Sequence, residues 1–200
     1  MTDPQKRFST NRRLWSHWSR STKLWAIAGL CLLAIVVRCS RRDNPNDVQE
    51  HVVFANDFEQ LEGWVPDASS LTTERAHSGR RSVKIDAQHP FSITYRLTLK
   101  DAFSIRPKRM RLSTWAWIES EEDDIQLAFI LNSPVPNAPA LYSSRIYLGD
   151  HWPYKRWVHV SRDFDLPPAI PSQSQLVVFL WYANAQHVAY ADDWKLTELH

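Results

Sequence analysis

The fold class this sequence predicts is an all-β sandwich of about nine short strands, preceded by an N-terminal apolar segment. Three observations predict it. From residue 51 onward the apolar residues alternate or form short runs, those runs are separated by clusters of Pro, Asp, Asn and Ser, and no window carries a sustained 3.6-residue stripe. The 44% hydrophobic and 23% charged residues of the 200-residue chain are those of a globular protein, which excludes wholesale disorder and a multi-span membrane protein. With 4 Gly, and neither GxGxxG nor GxxxxGK[ST], the usual phosphate-cradling loops are missing.

Taken in order, residues 1–23 are a basic tail holding Lys6, Arg7, Arg12, Arg13, Arg20 and Lys23. Residues 24–38 follow as a transmembrane anchor or signal segment. Its apolar core, Leu24 to Val37, is fourteen residues long, which as a helix spans only ~21 Å at ~1.5 Å per residue, against a hydrocarbon core of ~30 Å. That length suits a signal peptide. The missing A-x-A pattern and Arg38 directly after the run oppose cleavage, and Lys23 and Arg38 can snorkel from a short span with Trp15, Trp18 and Trp25 near the interface. Cys39 leaves a third alternative, an atypical lipid anchor. All three place the rest of the chain outside the cytoplasm: in a cell membrane with a single N-terminal span, or secreted, or lipid-anchored. Cys31 and Cys39 are the only cysteines, so the outer domain has no disulfide, Cys nucleophile or Cys-based zinc site.

Residues 39–50 are polar, mixed in charge and broken by Pro45, as a linker should be. The domain is 51–200, with strands expected at 52–58, 81–86, 91–99, 109–118, 125–131, 143–148, 156–164, 175–182 and 188–198. In RMRLSTWAWIE, Met110, Leu112, Thr114, Ala116 and Ile118 share the core face, and Arg111, Ser113, Trp115 and Trp117 share the other. QLVVFLWYAN is apolar on both faces, which fits a central strand with its outer face covered by a loop or carrying an aromatic patch. EEDD at 121–124 lacks the spacing of a calcium loop and is expected to be a charged turn.

Charge argues against nucleic acid as a partner. Residues 1–50 hold nine Lys/Arg against four Asp/Glu, whereas 51–200 hold fifteen against eighteen, so the folded part is net acidic.

Three motifs in order, NDFEQLEGW at 56–64, RAHSGRRSVKID at 75–86 and VAYADDWKLTEL at 188–199, resemble the jelly-roll carbohydrate-binding modules, a galactose-binding-like β-sandwich family of bacterial glycan-degrading enzymes and surface proteins. The resemblance covers about residues 52–199. It implies a jelly-roll fold, carbohydrate or glycan as partner, Trp64 as a structural residue of the opening loop, and one structural calcium ion held by Glu59, Ser78 or its neighbours, and Asp192 or Asp193. Calcium takes six to eight oxygen ligands, and such a site would join the two ends of the domain.

Sugar recognition needs flat apolar faces ringed by hydrogen-bonding groups. The expected ligand-binding residues are Trp115 and Trp117, two apart on one strand, then Trp181 and Tyr182 on a neighbouring strand, and Trp152 and Tyr154 on a loop. No GxSxG, HExxH or CxxC occurs, and His77, His151 and His159 form no metal signature, so no catalytic residue is expected. The function expected is a membrane-attached, extracytoplasmic carbohydrate-binding module without catalysis. Two alternatives stay open: an envelope structural or protein-interaction sandwich that meets an envelope protein partner, and a small polysaccharide-active enzyme.

Overall fold

Four antiparallel pairs are nested one inside the next along the chain, and they define the architecture. The computed structural model describes residues 49–61 and 68–200. The basic tail, the apolar segment 24–38 and Trp64 therefore lie outside the described residues. The strands are β1 (Glu50–Asn56), β2 (Leu71–Thr72), β3 (Ser82–Ile85), β4 (Tyr95–Thr98), β5 (Arg109–Trp117), β6 (Asp124–Asn132), β7 (Tyr142–Tyr147), β8 (Trp157–Asp165), β9 (Gln175–Asn184) and β10 (Ala189–Leu199). The nested pairs are β3 with β10, β4 with β9, β5 with β8 and β6 with β7. Pairing of β10 with β5 and of β6 with β9 folds this long hairpin into two sheets. Sheet A has the order β2-β3-β10-β5-β8, with β1 also on β10, and sheet B has the order β4-β9-β6-β7. Two antiparallel sheets built from rolled, nested pairs are a jelly-roll sandwich.

The nine expected strands are all present, with β4 shorter than expected and Phe91 contributing a single bridge to Trp181. The tenth, β2, has two residues, too few to leave a pattern.

Alternation decides what each strand buries. On β5, Met110, Leu112, Thr114 and Ala116 are buried facing inward, as expected from their parity. They meet Ala191, Trp194 and Leu196 of β10 and, from sheet B, Leu127, Phe129 and Leu131 of β6 with Leu176, Val178 and Leu180 of β9. Each such Leu, Val, Phe or Met side chain contributes roughly 1.5–3 kcal/mol on burial. Strand β9 is apolar on both faces because it is the centre of sheet B: its even-numbered residues fill the core, and Val177, Phe179 and Trp181 lie on the outer face.

The EEDD stretch turns as expected, but Asp123 is buried. Its carboxylate accepts the backbone N–H groups of Gln186 and His187 and faces the His187 ring, so it fastens one turn to another. Among the described residues no helix is long and apolar enough to cross a membrane.

Candidate functional site

Residues 73–81 connect β2 to β3 and lie over the outer face of sheet A. Gly79 provides the positive φ of +57° that the loop requires, and a Cβ there would stand 2.5 Å from Glu59 Oε1. Glu59 Oε1 accepts the N–H groups of Arg80 and Arg81, each at 2.7 Å. Those two donors hold its carboxyl below the ordinary value. From the other end of the domain, Asp192 Oδ2 accepts the N–H groups of His77 at 2.8 Å and Ser78 at 3.0 Å, and Asp192 Oδ1 accepts that of Asp193 at 2.7 Å. Burial pushes the Asp192 carboxyl up against the pull of these donors. Asp193, at φ +50° where β10 bulges, accepts Ser78 Oγ–H and meets His77 Nδ1, both at 2.7 Å.

Glu59, Ser78, Asp192 and Asp193 therefore do converge on one loop, as the calcium expectation required. Their oxygens accept N–H and O–H donors of the loop. Among the described residues no group of three His, Cys, Asp or Glu could hold a metal ion. The carboxylates join the two ends of the domain through this loop.

The latched loop changes the expected tryptophan platform. Trp115 and Trp117 do point away from the core, with His159 and Trp157 beside them on β8 and Asp192 and Tyr190 on β10. Their faces are taken. The His77 ring stacks on Trp115 at 3.8 Å, and the Arg75 guanidinium lies 3.9 Å from the Trp117 centroid. Glu74 fastens the same loop, accepting from Tyr190 Oη and Lys84 Nζ, both at 2.8 Å. Trp117 Nε1 is buried there without a hydrogen-bond partner. The pair is thus the floor under a loop, not an open platform.

The other expected ligand residues disperse. Trp181 belongs to sheet B and cannot extend a surface on sheet A. Tyr182, next in sequence, turns inward against the core, its hydroxyl donating to the Ala185 carbonyl. Tyr154 packs against the core and donates to the Gly149 carbonyl at 2.9 Å. Trp152 is 77% exposed on the β7–β8 loop.

Trp181 instead belongs to a surface that sequence reasoning did not assemble. Register places Thr98, Gln175 and Asn132 in one row of the outer face of sheet B; Arg96, Val177, Ile130 and Ser143 in the next; then Phe179, Ala128 and Arg145; then Trp181, Gln126 and Tyr147. Phe91 joins the Trp181 row through its bridge, its ring 8° from parallel with that indole at 6.3 Å and 6.0 Å from the Phe179 ring. A shallow groove beside this aromatic strip is lined by Phe91, Thr94, Arg96, Ile130, Asn132, Val177 and Phe179. Ala128 is too small to block the strands on either side of it, and the Arg145 guanidinium reaches to 5.1 Å from the Trp181 ring. Arg145 Nη1 donates to Gln126 Oε1 at 3.0 Å. The signal for this face was the apolar outer parity of β9. Its partners, Phe91, Arg96 and Arg145, come from parts of the chain distant in sequence.

The fold and this surface define a jelly-roll β-sandwich with one outer sheet face roofed by a loop and the other carrying an aromatic groove. Solved structures to which the chain is similar include the xylan-binding domain CBM22-1 of Paenibacillus barcinonensis Xyn10C, at 15% identity and a TM-score of 0.46 over 74% of this chain and 94% of that one. The CBM22-2 domain of the same protein matches at 13% identity and a TM-score of 0.46 over 73% and 99%. A family 16 carbohydrate-binding module matches at 17% identity and a TM-score of 0.43 over 64% and 84%. No family model and no curated protein sequence matches the chain.

Proposed function

We propose that the 51–200 domain binds carbohydrate on the outer face of sheet B without transforming it, and that residues 24–38 attach it to a membrane with the domain outside the cytoplasm. The observation that carries the proposal is the strip of Phe91, Phe179 and Trp181 beside Arg96, Asn132 and Gln175. Flat apolar rings stack on the C–H faces of sugars, and amides and guanidinium groups bond their hydroxyls. Binding, not hydrolysis, is favoured by the same rows. Glycoside cleavage generally uses two facing carboxylates, and the acid on this grid is Asp124, at the end of β6, engaged by Gln126 Nε2 at 2.7 Å. Calcium has no part in the proposal.

A glycan array probed with wild type and with Phe179→Ala/Trp181→Ala tests it. Binding by wild type and its loss in a variant with an unchanged melting temperature is the expected result. Retention of binding by the variant would remove this face from the site, and an empty array together with capture of an envelope protein would transfer the aromatic strip to the protein-interaction alternative.

A further inference from the structure

The aromatic strip on sheet B is flanked by two arginines that no carboxylate contacts directly. Residues 51–200 carry more Asp and Glu than Lys and Arg, yet the outer rows of sheet B hold Arg96 and Arg145 with Asp124 as their carboxylate. Asp124 is already bonded to Gln126. Arg96 is exposed on β4 and has no hydrogen-bonding or ionic partner among the described residues. Arg145 spends one nitrogen on the Gln126 amide and, with no carboxylate in direct contact, holds its guanidinium beside the Trp181 ring. On the outer face of sheet A, by contrast, Arg111 grips Asp163 with two nitrogens and Glu50 with a third.

We infer that this face takes an anionic polysaccharide, one whose units carry carboxylate or sulfate groups, with Arg96 and Arg145 as the residues that hold the anions. The inference rests on the carbohydrate reading above and adds the ligand's charge. Planar guanidinium groups bind carboxylate and sulfate oxygens through paired N–H donors, more strongly than they bind neutral hydroxyls. Arg96 is on β4 and Arg145 on β7, three strand spacings apart, so their backbone positions are on the order of 14 Å from one another across the sheet. Two anion positions separated in this way, with aromatic rings along β9 between the flanking strands, match charged groups repeated along a polymer and not a single small anion.

The test measures binding of the full chain to polygalacturonate and to its carboxyl-reduced form, and to dextran sulfate and dextran, for wild type and for Arg96→Gln/Arg145→Gln. The expected result is that wild type binds one charged polymer at least about tenfold more tightly than its neutral counterpart, the size of one charge-assisted hydrogen bond. That preference should shrink in high salt and vanish in the double variant, whose melting temperature stays that of wild type. Whether carboxylate or sulfate is the group held is read from which charged polymer wins. Equal binding of charged and neutral polymers would overturn the inference and leave the carbohydrate reading standing. A charge preference that survives in the double variant would overturn the assignment to this face. Absence of binding to all four polymers, together with an empty glycan array, would overturn both.

Discussion

The His77 imidazole lies on the Trp115 indole with ring centroids 3.8 Å apart and planes 11° from parallel, while the Trp157 ring meets it edge-on at 5.8 Å. An indole that points outward from a strand is here covered by the domain's own loop. Trp115→Ala is therefore expected to cost about 1–3 kcal/mol, between a surface change and the ~3–5 kcal/mol of an enclosed Trp, and to leave glycan binding intact. His77→Ala should unroof the indole and raise its accessibility to acrylamide quenching. Loss of binding in Trp115→Ala at unchanged stability would return the site to sheet A.

Gly79→Ala is expected to destabilise by more than the ~1–2 kcal/mol of a left-handed residue alone. The added methyl would meet Glu59 Oε1, which holds the N–H groups of Arg80 and Arg81. Thermal unfolding of Gly79→Ala, Glu59→Ala and the double variant checks this: because both act through one contact, the losses should be less than additive.

Acid should loosen the same latch. The Glu59 carboxyl is lowered from 4.5, chiefly by the Arg80 and Arg81 N–H groups, and the Asp163 carboxyl is lowered from 3.8, chiefly by Arg111. A depressed carboxyl contributes stability that is complete above its unfolded value and is lost as pH falls through its folded value. The melting temperature is therefore expected to decline below about pH 4.5, less steeply in Glu59→Gln than in wild type. Asp192 has the opposite sign, because burial raises its pKa and stability is lost as pH rises through the folded value. Parallel melting curves for wild type and Glu59→Gln would contradict the role given to Glu59.

A chelator is expected to leave the melting temperature unchanged, and added calcium is expected not to raise it, because Glu59, Asp192 and Asp193 direct their oxygens at N–H and O–H donors. A ligand that binds only the folded state would shift the midpoint with its concentration. A rise with millimolar calcium, abolished in Glu59→Gln, would restore the ion.

For attachment, the full chain should sediment with membranes and resist extraction by high salt, with residues 51–200 cleaved by protease added outside the cytoplasm. A soluble mature form beginning near residue 40 would replace the anchor with a cleaved signal.

The alternation in β5 made its two faces legible because burial there follows parity at every residue but Ser113, which is buried on the outward side. The two-sided apolarity of β9 likewise announced a central strand. What a strand faces beyond its own sheet was not legible. Trp117 and Trp181 have the same outward parity, yet the nested pairing puts them on opposite sides of the sandwich. Similarly, RAHSGRRS pointed to a special loop, but nothing in its spacing showed Arg75 and His77 lying down on Trp117 and Trp115. Asp192 and Glu59 were singled out as partners of that loop through resemblance. Their chemistry there, accepting N–H groups, depends on the direction of the backbone, which residue identity does not reveal.

Strand β10 is the last of the described strands in chain order, yet it lies inside sheet A, with β3 and β1 along one side and β5 along the other. Until residues 189–199 have left the ribosome, three strands have open edges, and the loop at 77–81 lacks the two aspartates that hold it. Sheet A is therefore incomplete, with β5 and β8 separated from β3 and β1, until β10 joins them. Closure is a late, collective event dominated by contacts distant in sequence, which makes folding slow relative to helical domains of this size. A chain stalled before residue 189 offers its bare β5 and β3 edges to any other unfinished strand nearby.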